Sequence, residues 1–271
     1  MPEPTISRDI IVEMERIERD VWIDMYASVS PQARERLGIE QRPLGDGVLL
    51  ICRAIDHMQF NRISNFGVAV PARGEMLDAA IAAYDAAGVK NWIVHVAPGA
   101  DELARLCGER GLVPHPRTWM KFAREPRRAE AATSLSVREI ATSEAGPFAE
   151  TATAGFGMPS FAAPLLGGIV GLPRWRCFMA FDDTTPVATG AVFIDGKSAW
   201  LGMGATLSSH RGRGAQSAIL AARINAAIDA GCTLLTTETG IPHPGEAGPS
   251  YKNIQRAGFA SAYERPNLRR A

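Results

Sequence analysis

The sequence predicts an α/β protein built as two domains in tandem, each a sheet flanked by helices. Three observations predict it. At 271 residues the chain exceeds the common size of one domain and fits two of about 130. Its apolar residues switch between the two-residue period of strands and the three-to-four period of helices, in strand, helix, strand, helix order. AAIAAYDAAGVKNWIV (79–94) also matches AARINAAIDAGCTLLT (221–236) in pattern, and GERGLVPHPRTW matches IQRAGFASAYER, which reads as an internal duplication.

Taken in order, residues 5–27 place Ile10, Ile11, Met14, Ile17, Val21, Trp22 and Met25 on one stripe, the core face of an amphipathic helix. GVLLICRAI (47–55) and NRISNFGVAV (61–70) read as strands. EMLDAAIAAYDAAG is a helix stopped at Gly88, NWIVHVAP a strand, and ADELARLCGERG a helix stopped at Gly111. REPRRAEAATS (124–134) is charged, small and aperiodic, so it reads as a linker between domains at 1–128 and 135–271. The second series opens with the short strand LSVREI and two helices, SEAGPFAETATAGFG and PSFAAPLLGGIVG. RCFMAFDDTTPVATGAVFIDGKSAWLGMGATL then gives three strands with turns at DDTTP and DGK. SAILAARINAAIDAG is a helix stopped at Gly231, CTLLTTETG a buried strand, and PSYKNIQRAGF a helix stopped at Gly258.

Composition excludes several classes. The chain is 46% hydrophobic and 21% charged, as ordinary globular proteins are, and 29 basic residues balance 29 acidic ones. No global field draws it to nucleic acid or anionic lipid. Cys52, Cys107, Cys177 and Cys232 lack the spacing of a zinc site or disulfide scaffold, and the five histidines show no metal-ligand spacing. Glu3, Arg8, Asp9 and Glu13 interrupt any signal-like run, so the expected location is the cytoplasm.

HRGRGAQSAIL (210–220) lies between a strand and a long helix, where free amides and the helix dipole favour an anion. Gly212 and Gly214 let the main chain approach phosphate oxygens, the amides of Ala215 and Gln216 open the helix, and Arg211 and Arg213 add charge. His210 reads as a solvated loop residue.

RGRGAQ resembles the Arg-x-x-Gly-x-Gly/Ala loop of the GNAT superfamily of acetyl-CoA-dependent N-acyltransferases, with Arg211 and Gly214 on its first two fixed positions. Gln216 stands where that family usually has Gly or Ala. The order of elements agrees, including a last helix followed by Gly258 and Phe259, and the resemblance covers about half of the chain. It implies a central twisted mixed sheet flanked by helices in the second half, with the first half a degenerate copy. It further implies that Ala205, Thr206 and Leu207 meet the pantetheine arm and the thioester, with the amide near Leu207 polarising the carbonyl. Gly202 and Gly204 fit a bulged strand there, or merely make room for neighbours. Glu238, whose pKa burial is expected to raise, would accept the amine's proton. Many members carry a tyrosine at the position of Ile254. Tyr251, one helical turn earlier, is the candidate donor for the thiolate, and Asn253 a partner for the pantetheine amides.

The implied activity is transfer of an acetyl group from acetyl-CoA to a primary amine by direct attack, with no metal. A non-catalytic acyl-CoA-binding module is the alternative. A dinucleotide oxidoreductase is a weaker rival, since GRGAQS begins like GxGxxG but has Ser217 at the third glycine and SSHR before the first. The expected partner is a small-molecule amine rather than a protein, nucleic acid or membrane, with homodimerisation left open. Setting Gly88 against Gly231 and Gly67 against Gly204 leaves the first copy short where the second has its loop. The counterpart there, VPARGEM, has Pro71 and one glycine, so one coenzyme A per chain is expected.

Overall fold

The computed structural model describes residues 6–271; Glu3 and Thr5 lie outside the described residues. Helix α1 (Arg8–Ala27) buries Ile11, Met14, Ile17, Val21, Trp22 and Met25, as their spacing predicts. The same face buries Glu15 and Glu18, each 1% exposed. Carboxylates so deep require partners. Arg265 lies 2.9 Å from Glu15, Lys121 2.6 Å and Arg62 3.3 Å from Glu18, and the Tyr263 hydroxyl donates to Glu15 at 2.7 Å. Burial works to raise the Glu18 carboxyl, but the Arg265 and Lys121 charges outweigh it and hold the group well below the usual carboxylate range.

After α2 (Pro31–Leu37) come β1 (Ile39–Leu44), β2 (Gly47–Cys52), β3 (Arg62–Ser64), α3 (Gly74–Ala87), β4 (Ile93–His95), α4 (Asp101–Glu109), β5 (Leu112–Pro114) and β6 (Trp119–Arg124). The second strand predicted over 61–70 is shorter than expected. Beyond Ser64 the amides of Gly67, Val68, Ala69 and Val70 all donate to the Asp46 carboxylate, at 2.8, 2.9, 2.6 and 3.4 Å, and this segment forms no strand. The segment after β6 is without regular structure, as a linker should be. It is nonetheless held: Ala129 exchanges two hydrogen bonds with Asn225, and the Thr133 hydroxyl donates to the Arg213 carbonyl at 2.7 Å.

The rest of the chain forms β7 (Ser136–Glu139), α5 (Ala145–Phe156), α6 (Ala163–Gly167), β8 (Trp175–Asp182), β9 (Thr185–Asp195), β10 (Ser198–Thr206), α7 (Ala215–Asp229), β11 (Leu234–Gly240), α8 (Pro249–Arg256), β12 (Ala260–Arg265) and β13 (Asn267–Arg270). PSFAAPLLGGIVG is a 3₁₀ turn at Ser160–Ala162 followed by the short α6, not one helix.

Two sheets result, ordered β1-β2-β3-β4-β13-β5 and β12-β6-β11-β10-β9-β8-β7. Both are mixed: β3–β4 and β10–β11 are parallel, while β1–β2, β2–β3, β4–β13, β13–β5 and the run from β7 to β10 are antiparallel. Strand β6, from the first half of the chain, lies in the second sheet, and β13 lies in the first. The compact units therefore do not divide at 128–135. One holds Pro31–Lys121 with Met1–Tyr26 and Ala262–Ala271, the other Phe122–Ser261 with Ala27–Ser30. The core of the first unit sits where α3 and α4 cover its sheet, with Tyr84 stacked on Trp92 at 4.7 Å.

Candidate functional site

Strand β10 decides the geometry of the second unit. Its pairing with β9 slips between Gly202 and Ala205, so Met203 and Gly204 have no register partner on β9. Met203 sits at φ 58, a left-handed conformation that costs a non-glycine residue of order 1–3 kcal/mol. On its other side β10 pairs with β11 only over Ser198–Trp200 and Leu234–Thr236. Past that point a side chain stands in for the ladder, the Thr237 hydroxyl donating to the Leu201 carbonyl at 2.7 Å. Beyond it no further ladder pair joins the two strands, and the bulge and the end of β11 are the two arms of the candidate cleft.

Three carbonyls of the bulged arm are held by side chains from α7 and β9. Arg223 Nη1 donates to the Gly202 carbonyl at 2.6 Å, the Thr189 hydroxyl to that of Met203 at 3.0 Å, and Gln216 Nε2 to that of Ala205 at 2.7 Å. Arg223 is 4% exposed and has no carboxylate partner among the described residues; burial pushes its guanidinium down to about 10. None of these roles was visible in the sequence. The signal for Arg223 is its place four residues after Ile219, on the apolar face of an Ala-rich helix.

The predicted residues can now be placed. Leu207 does not offer its amide to the cleft, because that N–H donates to the Val187 carbonyl at 3.0 Å; the unpaired backbone lies at Met203 and Gly204. A side chain at Gly202 would collide with the Trp200 ring, and one at Gly204 would meet Gln216, so both glycines make room for neighbours. The Gln216 side chain is engaged with Ala205 and Thr206 rather than turned to the loop. Gly212 and Gly214 take φ 81 and 80, the conformation that favours glycine, and a Cβ at Gly214 would also meet the Ala132 carbonyl. Ala218 donates to the Gly214 carbonyl at 3.0 Å as the first turn of α7 closes, and the amides before it lie at the helix start. Of the two loop arginines, Arg213 grips Asp182 with bonds of 2.6 and 2.9 Å, whereas Arg211 is exposed with no ion pair among the described residues. His210 is not simply solvated, since Nε2 lies 3.2 Å from Asp182.

Across the cleft, Glu238 is half-buried and both its oxygens accept from the Trp200 indole N–H, at 3.1 and 2.9 Å. Tyr251, in the first turn of α8, sets its ring edge-on to Phe122 at 5.1 Å, and its hydroxyl has no hydrogen bond among the described residues. Asn253 Oδ1 accepts from the Ser217 hydroxyl at 2.8 Å, which leaves its donor end for a ligand. Ile254 is buried.

Neither a family model nor a curated protein matches the sequence. Solved structures do match, over nearly the whole chain. A GCN5-related N-acetyltransferase from Kribbella flavida aligns with 98% of this chain and 96% of its own, at TM-score 0.61 and 20% identity. One from Sphaerobacter thermophilus aligns over 98% and 96%, at 0.56 and 16%, and a GNAT-family acetyltransferase from Colwellia psychrerythraea over 99% of both chains, at 0.56 and 14%. The chain has the GNAT fold.

Within that fold β3 and β4 can be set against β10 and β11. When the helix-stopping glycines Gly88 and Gly231 are matched, Ile93 coincides with Thr236, and their strand partners Arg62 and Trp200 coincide too. Asn65 then takes the place of Met203, and both are left-handed, at φ 57 and 58. Gly67 falls on Ala205, one residue from the sequence alignment, and His95 falls on Glu238. The four amides held by Asp46 are thus the counterparts of residues 205–208.

Proposed function

We propose that the second unit transfers an acetyl group from acetyl-CoA to a small primary amine, and that the chain binds one coenzyme A. The observation that carries this reading is the bulged β10, whose ladder with β11 ends at Trp200, beside a glycine-shaped helix start. A cleft between two parting strands accepts an extended arm through main-chain bonds, and the amides before Ala218 with Arg211 suit its pyrophosphate. Ala205, Thr206 and Asn253 lie along the route of the pantetheine.

A neutral amine attacks the thioester carbonyl, forming the C–N bond while negative charge grows on the oxygen beside Met203 and Gly204. Glu238, held by Trp200, takes the amine's proton directly or through water. The C–S bond breaks, and Tyr251 protonates the departing thiolate, giving an amide and coenzyme A. Phe156 and Phe161, 46% and 44% exposed at the end of α5 and just beyond it, favour an acceptor with an apolar portion.

Single occupancy is supported by Asp46. In the first unit the amides that correspond to the acyl-binding segment already carry a carboxylate, so that half serves structure or acceptor binding. Calorimetric titration with acetyl-CoA should give one site per chain, and Arg211→Ala should weaken it roughly ten- to a hundredfold, the cost of one charge-assisted bond. Two equivalent sites, or unchanged affinity, would overturn the assignment.

A further inference from the structure

We propose that Arg223 is a positioning residue that sets the Met203 amide to polarise a bound thioester carbonyl; this rests on the acyltransferase reading above. Arg223 donates to the Gly202 carbonyl at 2.6 Å, and that carbonyl belongs to the same peptide unit as the Met203 N–H. A strong bond to one end of a peptide unit strengthens the donor at its other end, by roughly 10–30%. Here the donor is a cation, and no carboxylate among the described residues neutralises it.

The direction of the pull follows from topology. Arg223 and Gln216 come from α7 and Thr189 from β9, so the carbonyls of Gly202, Met203 and Ala205 are drawn away from β11. The cleft opens on the β11 side, because β10 has no partner on β11 beyond Trp200. A cleft wall stripped of acceptors presents donors, and a thioester oxygen needs donors.

A packing role alone does not account for the side chain. A buried guanidinium without a carboxylate costs stability, and an apolar side chain of similar length would fill the space without that cost. Ile219 and Gly190 confirm how tight the space is: a Cβ at Gly190 would come within 2.5 Å of Ile219 and 2.8 Å of Arg223 Nε. Arg223 also reaches the Ala191 carbonyl at 3.4 Å, so it spans both strands at the slip in register.

The test uses acetyl-CoA labelled with ¹³C at the thioester carbonyl, bound to the full chain and to its Arg223→Met and Arg223→Lys variants. The carbonyl stretch and the ¹³C resonance report polarisation, and calorimetry with unacetylated coenzyme A reports binding through the loop. The expected result is a carbonyl shift in the wild-type complex that falls by half or more in the Met variant and is partly restored by Lys, with coenzyme A affinity nearly unchanged. A full carbonyl shift in the Met variant overturns the proposal; if Met does not fold, Arg223→Gln, which removes the charge, takes its place, and a full shift there overturns it equally. A wild-type protein that binds no acetyl-CoA removes the acyltransferase reading itself, an outcome distinct from retained binding with an unmoved carbonyl.

Discussion

Asp46→Ala tests the assignment of the first unit as a copy that supplies its own anion. The substitution strips one carboxylate from four amides, two of them on the buried residues Gly67 and Val68 and two on the exposed Ala69 and Val70. The exposed pair rehydrates, while the buried pair loses charge-assisted bonds of about 1.5–3 kcal/mol each, so the expected loss is about 3 kcal/mol after partial relaxation. For a chain of this size that is roughly 6–12 °C in melting temperature. The emptied cradle should accept a small carboxylate. Acetate at ten times its dissociation constant would return about 1.4 kcal/mol by mass action. The assay is thermal unfolding of both proteins in acetate and in chloride at matched ionic strength. An unchanged melting temperature, or an equal response to acetate in variant and wild type, would refute the reasoning.

Glu238→Gln should cut turnover about a hundredfold or more while leaving acetyl-CoA affinity nearly intact, and full activity at neutral pH on the true acceptor would make the residue structural. Tyr251→Phe should slow thiol release, and an unchanged rate would leave solvent as the donor. Burial, with Arg265 and Arg62 nearby, holds His95 well below its usual 6.5, so the folded chain binds fewer protons there than the unfolded one and stability should fall as pH drops below 6.5. Glu18, also held low, adds a second decline below 4.5; His95→Gln should flatten the first limb only, and an unaltered limb would remove His95 as its source.

Much of the fold was legible because its signals are local. Gly88, Gly111, Gly231 and Gly258 end helices or their flanking turns in left-handed conformations, at φ 69, 70, 80 and 82, and an L side chain is strained there. The glycine loop at 212–214 was legible for the same reason. What escaped was non-local. Glu15 and Glu18 look like a solvated helix face until Arg265, almost the whole chain away, turns out to pair with them. The shortening of β3 depends on Asp46 reaching across from the β1–β2 turn, and the amide of Leu207 is engaged because of a register slip that no spacing announces. At Gln216 the family pattern pointed to phosphate, but a long amide at that position reaches the bulge instead.

The placement of β13 has a consequence for how the chain must fold. Arg265 and Glu18, joined inside one unit, stand 247 positions apart. A nascent chain therefore exposes Glu15 long before its cation exists and Glu18 before Arg265 joins Arg62 and Lys121, and the sheet of β1 to β5 lacks the strand between β4 and β5 until residues 267–270 arrive. Contacts so distant make folding slow, since the loop must close before any of them is gained. Synthesis from the N-terminus cannot finish the first unit first: its completion is a late event, dependent on the second having been made, and a chain released early should be left with an open sheet that invites aggregation.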